Sequence, residues 1–174
     1  ILKTTDGGAK WTPQTSGTSA WLYGAHFLDA MTGWAVGGAA GTILKTMDGG
    51  AKWTPQTSGA SNALADVYFV DAMTGWAVGP LGTVVATSNG GANWTVQTSS
   101  TFQHLAGVYF ADSMTGWAVG VGAAIVKTAD GGGTWAAQTS GTNKQLESVY
   151  FVDTQVGWAV GKGGTILKTC DGGG

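Results

Sequence analysis

The feature that most constrains this chain is a turn it writes five times. Asp6-Gly7-Gly8-Ala9-Lys10-Trp11 returns as Asp48-Gly49-Gly50-Ala51-Lys52-Trp53, as Asn89-Gly90-Gly91-Ala92-Asn93-Trp94 and as Asp130-Gly131-Gly132-Gly133-Thr134-Trp135. A fifth copy opens at Asp171-Gly172-Gly173. A threonine stands two places before each one: Thr4, Thr46, Thr87, Thr128 and Thr169. An acidic or amide side chain here can accept backbone N–H groups of its own turn. The glycines supply positive φ without steric cost, and the tryptophan clamps the strand that leaves the turn. The acidic positions are 42, 41, 41 and 41 residues apart. Two further markers keep the same phase. Gly-Trp-Ala-Val-Gly recurs at 33–37, 75–79, 116–120 and 157–161, and Val-Tyr-Phe-x-Asp at 67–71, 108–112 and 149–153, with Ala25-His26-Phe27-Leu28-Asp29 as its first version. A repeat of this length must be read before anything else, because it decides the fold.

Within one unit, Leu64 to Val70 is a β-branched and aromatic run, hence a strand. Asp71 to Thr74 turns into a second strand, Gly75 to Gly79; Pro80-Leu81-Gly82 turns into a third, Thr83 to Thr87. After the acidic turn, Trp94 to Thr98 makes the fourth. Four short antiparallel strands in about 41 residues is one propeller blade. Apolar residues run consecutively, as in Val67-Tyr68-Phe69-Val70, which fits sheets covered on both faces. The predicted fold class is therefore all-β: a β-propeller of four-stranded antiparallel blades, with four full periods present as part of a larger propeller. The expected division is a partial blade at 1–17, full repeats at 18–59, 60–100 and 101–141, and a partial repeat at 142–174. One third strand stands at each end of the chain, so the expectation is an excerpt of a longer array, with closure by a second chain or a four-bladed ring as alternatives.

Composition excludes several functions. Only 10% of residues are charged, all eight basic residues are lysine, and the net charge is −2, so no basic field exists for nucleic acid. No apolar run is long enough to insert in a membrane as a helix. No signal peptide is recognisable, and Ile1 falls in mid-motif, which reads as a mature or excerpted product. Cys170 is the single cysteine and cannot form an intrachain disulfide.

The box Thr-x-Asp-x-Gly-x-x-Trp resembles the Asp-box, or bacterial neuraminidase repeat, of sialidases, sortilin-type receptors and several glycosidases. The fuller unit, with Phe69-x-Asp71, Gly75 to Gly79, Gly82-Thr83 and Thr87-x-Asn89-Gly90-Gly91-x-x-Trp94, is similar to the photosystem II stability and assembly factor family. That resemblance spans the chain and implies a propeller, seven-bladed in the photosynthetic members, whose Asp-box joins the third and fourth strands. It also implies a non-enzymatic lumenal assembly chaperone. The arginine patch of those members has no counterpart, since this chain has no arginine.

The same absence excludes sialidase chemistry, which needs forked guanidinium groups for the substrate carboxylate. Asp29, Asp71, Asp112 and Asp153 recur once per unit and read as turn acceptors rather than metal ligands or catalytic acids. Asp6, Trp11, Asp48, Trp53, Asn89, Trp94, Asp130, Trp135 and Asp171 read as structural parts of the box. Asn89 keeps an acceptor oxygen but would lose the charge a hard cation needs. Only Asp66 and Glu147 lie outside the repeated acidic frame. His26 takes the place of Tyr68, Tyr109 and Tyr150 and reads as a packed aromatic equivalent. Eight tryptophans fall in frame and are expected to pack blades; Trp21 is the exception.

The units differ most in the connectors before each first strand, and binding residues concentrate on variable loops of rigid scaffolds. The candidate partner-binding residues are Trp21, Asn62, Phe102, His104, Lys144 and Glu147. No metal and no cofactor is expected. The function expected is a non-enzymatic interaction or assembly scaffold for a protein partner. The alternatives are a glycan-binding cell-surface protein and a self-associating extracellular component joined through uncapped blade edges. An extracellular, cell-surface, periplasmic or lumenal location follows from the same reading.

Overall fold

A computed structural model describes residues 1–173. It contains five antiparallel sheets in chain order. The first is β1 (Leu2–Lys3) with β2 (Thr12–Pro13). Three complete blades follow: β3 (Leu22–Phe27), β4 (Gly33–Gly37), β5 (Thr42–Thr46) and β6 (Thr54–Gln56); β7 (Asp66–Phe69), β8 (Gly75–Val78), β9 (Thr83–Thr87) and β10 (Thr95–Thr98); β11 (Leu105–Phe110), β12 (Gly116–Gly120), β13 (Ile125–Thr128) and β14 (Ala136–Gln138). The last sheet has β15 (Leu146–Phe151), β16 (Gly157–Gly161) and β17 (Thr165–Thr169). The first strands β3, β7, β11 and β15 lie beside one another along the array, and each sheet runs outward from them. This is a β-propeller arrangement, as the repeat implies.

Local chemistry accounts for the register. A Cβ on Gly75 would lie 2.5 Å from the Phe69 ring, and one on Gly79 would lie 2.2 Å from the Ala63 carbonyl oxygen. The two glycines of the Gly-Trp-Ala-Val-Gly marker therefore admit the first-strand phenylalanine at one end and the incoming connector at the other. The fourth strand is an edge, where proline costs no ladder bond. Pro13 and Pro55 both stand there.

The core lies between blades. Trp34, Val36 and Ile43 of one sheet pack on Leu64, Val67 and Phe69 of the next. Trp76, Val78 and Val84 repeat this on Leu105, Val108 and Phe110. Trp117 and Val119 repeat it on Leu146, Val149 and Phe151. Each interface centres on a stacked pair: Trp34–Phe69 at 3.5 Å, Trp76–Phe110 at 3.4 Å and Trp117–Phe151 at 3.5 Å between ring centroids. Such pairs contribute roughly 0.5–1.5 kcal/mol beyond the area they bury.

Two expectations shift. The first strand of the second complete blade begins at Asp66 rather than Leu64, although Leu64 is buried in the same interface. Not every in-frame tryptophan packs: Trp11 is 56% exposed, whereas Trp53, Trp94 and Trp135 are buried. Trp158 is half-buried where Trp34, Trp76 and Trp117 are fully buried.

Candidate functional site

The turns sort onto two ends of the array. At one end the acidic boxes meet the turns between first and second strands: Gly49, Gly90, Gly131 and Gly172 donate their N–H to the carbonyls of Met31, Met73, Met114 and Gln155. At the other, the connectors meet the turns between second and third strands, with Gly38 N–H on Trp21, Gly82 N–H on Gln103 and Val121 N–H on His104.

The box end is fully occupied with its own backbone. The Thr46 hydroxyl donates to Asp48 Oδ1 at 2.8 Å and accepts the Gly50 N–H at 2.8 Å; the same carboxylate oxygen accepts the Lys52 N–H at 2.9 Å. Asn89 makes the same set with its amide oxygen, receiving Thr87 Oγ1 at 3.0 Å and the Asn93 N–H at 2.9 Å. Asp130 adds the Thr134 hydroxyl at 2.8 Å. Asp29, Asp71, Asp112 and Asp153 each accept two N–H groups of their own turns at 2.7–2.8 Å. These bonds favour the ionised form, so backbone N–H groups hold Asp6, Asp29, Asp48, Asp71, Asp130 and Asp153 below the ordinary carboxylate range. Among the described residues no cluster of three His, Cys, Asp or Glu side chains is placed to hold a metal ion.

The boxes also latch one blade to the next, a role that the reading of each box as a fastener within its own blade does not contain. The Gly90 carbonyl accepts Lys45 Nζ at 2.9 Å and Gln56 Nε2 at 3.3 Å from the preceding blade. In the next blade Ala86 stands at the lysine position, and the Trp76 indole N–H takes over, reaching the Gly131 carbonyl at 2.9 Å with Gln97 Nε2 at 3.3 Å. The Gly172 carbonyl accepts Trp117 Nε1 at 3.1 Å and Gln138 Nε2 at 3.2 Å. Lys3 and Gln14 serve Gly49 in the same way, at 2.8 and 3.2 Å. The signal for these glutamines was in the sequence: Gln14, Gln56, Gln97 and Gln138 recur in the box's own phase.

Asp66 has a comparable task. Its Oδ1 accepts the N–H of Val67 at 2.9 Å and its Oδ2 that of Val108 in the neighbouring blade at 3.0 Å. Burial pushes its carboxyl up from the usual value. Glu147 stands exposed on β15, so these two out-of-frame acids are differently employed. His26 packs against Tyr68 with tilted rings at 4.7 Å and heads an aromatic row through Tyr109 and Tyr150, with centroid spacings of 4.8 and 5.0 Å. Burial pulls the His26 imidazole down, toward the neutral form.

Both ends expose apolar side chains: Met31, Met47, Met73 and Met114 at the box end, and Trp21, Leu81 and Phe102 at the connector end. Phe102 is 90% exposed and Leu81 is 65% exposed. Both line a groove of about 430 Å³ with Asn62, Thr83 and Val96. Asn62 Nδ2 donates to Thr83 Oγ1 at 3.0 Å, which fixes its amide on the groove wall. Leu81 has φ of +56°, in a position where the sibling turns use Gly122 and Gly163. A bulky residue in this left-handed region is held there at a cost of about 1–2 kcal/mol. Asn62 and Phe102 are thus brought together. Trp21 is exposed on another connector, His104 is half-buried with its carbonyl accepting Val121, and Lys144 is exposed beside Gly163. Leu81 and Val96 were missed as candidates; the leucine at a glycine position of its turn was the readable signal.

Residues 96–174 match the model of the family described as Photosynthesis system II assembly factor YCF48. No curated protein sequence matches the chain. Among solved structures, the chain is similar to YCF48 bound to D1 peptide, with a TM-score of 0.72 and 21% identity over 96% of this chain and 55% of that one. It is similar to YCF48 from Cyanidioschyzon merolae, with a TM-score of 0.77 and 20% identity over 97% of this chain and 62% of that one. The GH74 enzyme of Niastella koreensis shares the fold at a TM-score of 0.77 and 18% identity, covering 96% of this chain and 32% of that one. The chain spans 55–62% of the length of the two YCF48 chains. The chain has the β-propeller fold of these structures, and its residues 96–174 match the assembly-factor family model.

Proposed function

We propose that this chain is a non-enzymatic scaffold that holds a polypeptide partner on its connector end. The observation that carries the reading is the pair Leu81 and Phe102. Two large apolar side chains stand out in solvent on one groove, and one of them is kept in a backbone conformation that costs free energy. Strained, exposed apolar residues on a rigid frame are what an interaction surface retains and a merely soluble surface discards. Asn62 offers a fixed amide on the same wall, suited to a peptide backbone.

The absence of a catalytic role rests on the occupation of the acids: the turn and box carboxylates and Asp66 each accept backbone N–H groups. A related propeller, YCF48, has been solved bound to a D1 peptide, which supports a peptide-type ligand for this frame. The reading implies a lumenal, periplasmic or extracellular protein; no helix of the described residues is long and apolar enough to cross a membrane.

Selection of peptides from a displayed library on the immobilised chain tests the proposal. Extended peptides with apolar side chains are the expected winners, with affinity falling at least about tenfold, roughly 1.4 kcal/mol, for Phe102→Ala. Selected peptides that bind the Phe102→Ala and Leu81→Gly variants as well as the parent chain would overturn it. Glycans captured on an array and lost with Trp21→Ala would favour the carbohydrate reading instead.

A further inference from the structure

The outer edge of the second complete blade differs from those of its siblings. In β10, Thr98 lies opposite Thr83, whose carbonyl already accepts the Gly79 N–H at 2.9 Å. Backbone groups alternate in direction along an antiparallel pair. Thr95 and Gln97 therefore bond inward to β9, while the N–H and C=O of Val96 and Thr98 point away from the sheet. The same parity is seen at Gln14, which holds the place of Gln97 and donates its N–H inward to the Ile1 carbonyl at 2.9 Å. Among the described residues nothing bonds the outward groups of Val96 and Thr98.

A strand edge with free backbone groups invites another strand, and proline is one device that prevents it. Pro13 of β2 and Pro55 of β6 stand at the Val96 position and remove its outward N–H. β14 keeps an N–H at Ala137, but its pairing stops at Gln138, so the second outward position falls beyond the strand. Of the described fourth strands, only β10 combines four ladder residues, both outward positions and no proline. Its Thr95, Val96 and Thr98 are exposed, and all three are β-branched, which favours the extended backbone. The face of the edge is settled as well. Gln97 sends its side chain to the Gly131 carbonyl of the following blade. Val96 and Thr98 therefore present theirs on the opposite face, where both line the groove of Leu81 and Phe102.

We propose that the polypeptide partner adds to β10 as an antiparallel fifth strand, exchanging main-chain hydrogen bonds with Val96 and Thr98 and laying alternate apolar side chains over the groove. This mode of binding rests on the peptide-binding reading of the same groove and specifies how the partner's chain is held. Dipole complementarity fixes the occupant. N–H and C=O groups that recur at every second residue are matched by another extended main chain. A helix uses its own backbone groups internally, and a glycan has no such repeat. Residues of the added strand that bond Val96 and Thr98 project on the same face as those two, over the groove, and the residue between them faces away. Selectivity is thus for apolar residues two apart, with free choice between them.

The probe is a synthetic copy of the tightest peptide taken from the displayed library. Val96→Pro reproduces at Thr95 the Thr54-Pro55 step of β6, so the urea midpoint should stay unchanged while the peptide weakens at least about tenfold. N-methylation of the peptide, one residue at a time, supplies a second measurement on the unaltered chain. Binding should fall about tenfold or more for methyl groups at alternate residues, and less than about threefold for those between. Amide exchange at Val96 and Thr98 should slow when the peptide binds. A Val96→Pro variant that binds as well as the parent, or a methylation scan without alternation, would overturn strand addition. If Phe102→Ala still abolished binding in that case, the groove reading would stand without it. Failure to select any peptide that depends on Phe102 would instead remove the groove reading, and strand addition with it.

Discussion

The two ends of this array are built from the same repeat and have opposite characters. At the box end the recurrent threonines and acids are consumed by their own turns, and the glycine carbonyl receives donors from the blade before. At the connector end the copies disagree, the aromatic side chains of Trp21 and Phe102 are exposed, and Leu81, Ser100 and Ala123 hold left-handed backbone without being glycine. Regular polar residues in a repeat protein are therefore a guide to what fastens it. Irregular apolar ones are a guide to what it presents.

The comparison breaks most readily through the fasteners. Trp76→Ala removes a fully buried indole, its stack on Phe110 and its bond to Gly131, and should cost about 3–5 kcal/mol in urea unfolding. Thr87→Ala deletes one hydroxyl that accepts the buried Gly91 N–H and donates to Asn89, and should cost about 1–3 kcal/mol by the same measurement. If either change were nearly silent, the box end would not be the structural end.

The sharper contrast comes from Leu81→Gly. Relief of left-handed strain, about 1–2 kcal/mol, outweighs the roughly 0.5–1 kcal/mol that glycine adds to unfolded-chain entropy. A small gain in stability with a loss of peptide binding is the expected pair of results, and a loss of stability would remove the argument from strain.

Acid distinguishes the ends more gently. The six carboxylates held below their ordinary value contribute stability that is complete above that value, about 3.8, and is lost as pH falls through their folded pKa values. Asp66, raised by burial, acts in the opposite sense: its contribution is present at low pH and is lost as pH rises through its folded value. With six groups against one, thermal midpoints should decline as pH drops below about 4. Asn89→Asp should deepen that decline slightly, because it adds a seventh group of the first kind.

Much of this was legible in the sequence. The period, the strand order and the turn role of the acids follow from residues that repeat, since each blade presents the same local problem and solves it with the same side chains. The inter-blade latches were harder to read, because one carbonyl is served by lysine in one blade and by an indole in another, and chemically unlike residues conceal a shared task. The connector groove was half legible: Asn62 and Phe102 belong to loops where the copies diverge, but Leu81 and Val96 join them only through folding. The exposure of Trp11 and Trp158 was not legible, because an in-frame tryptophan looks the same whether or not a neighbour covers it.

The box at Asn89-Gly90 has a consequence for how the protein ages. Asparagine followed by glycine is the step most open to deamidation, in which the glycine amide nitrogen attacks the side-chain carbonyl. Here that N–H is held by the Met73 carbonyl at 2.7 Å, and the Asn89 oxygen is held by Thr87 and Asn93. The folded blade thus withholds the nucleophile, and damage at this site should accrue only in molecules that have opened. Peptide mapping after parallel incubation with and without urea would register it. The aspartate product restores the residue that the other boxes use, whereas the isoaspartate product lengthens the backbone and cannot close the turn, so the turn that fastens the blade also serves as a clock of its own unfolding.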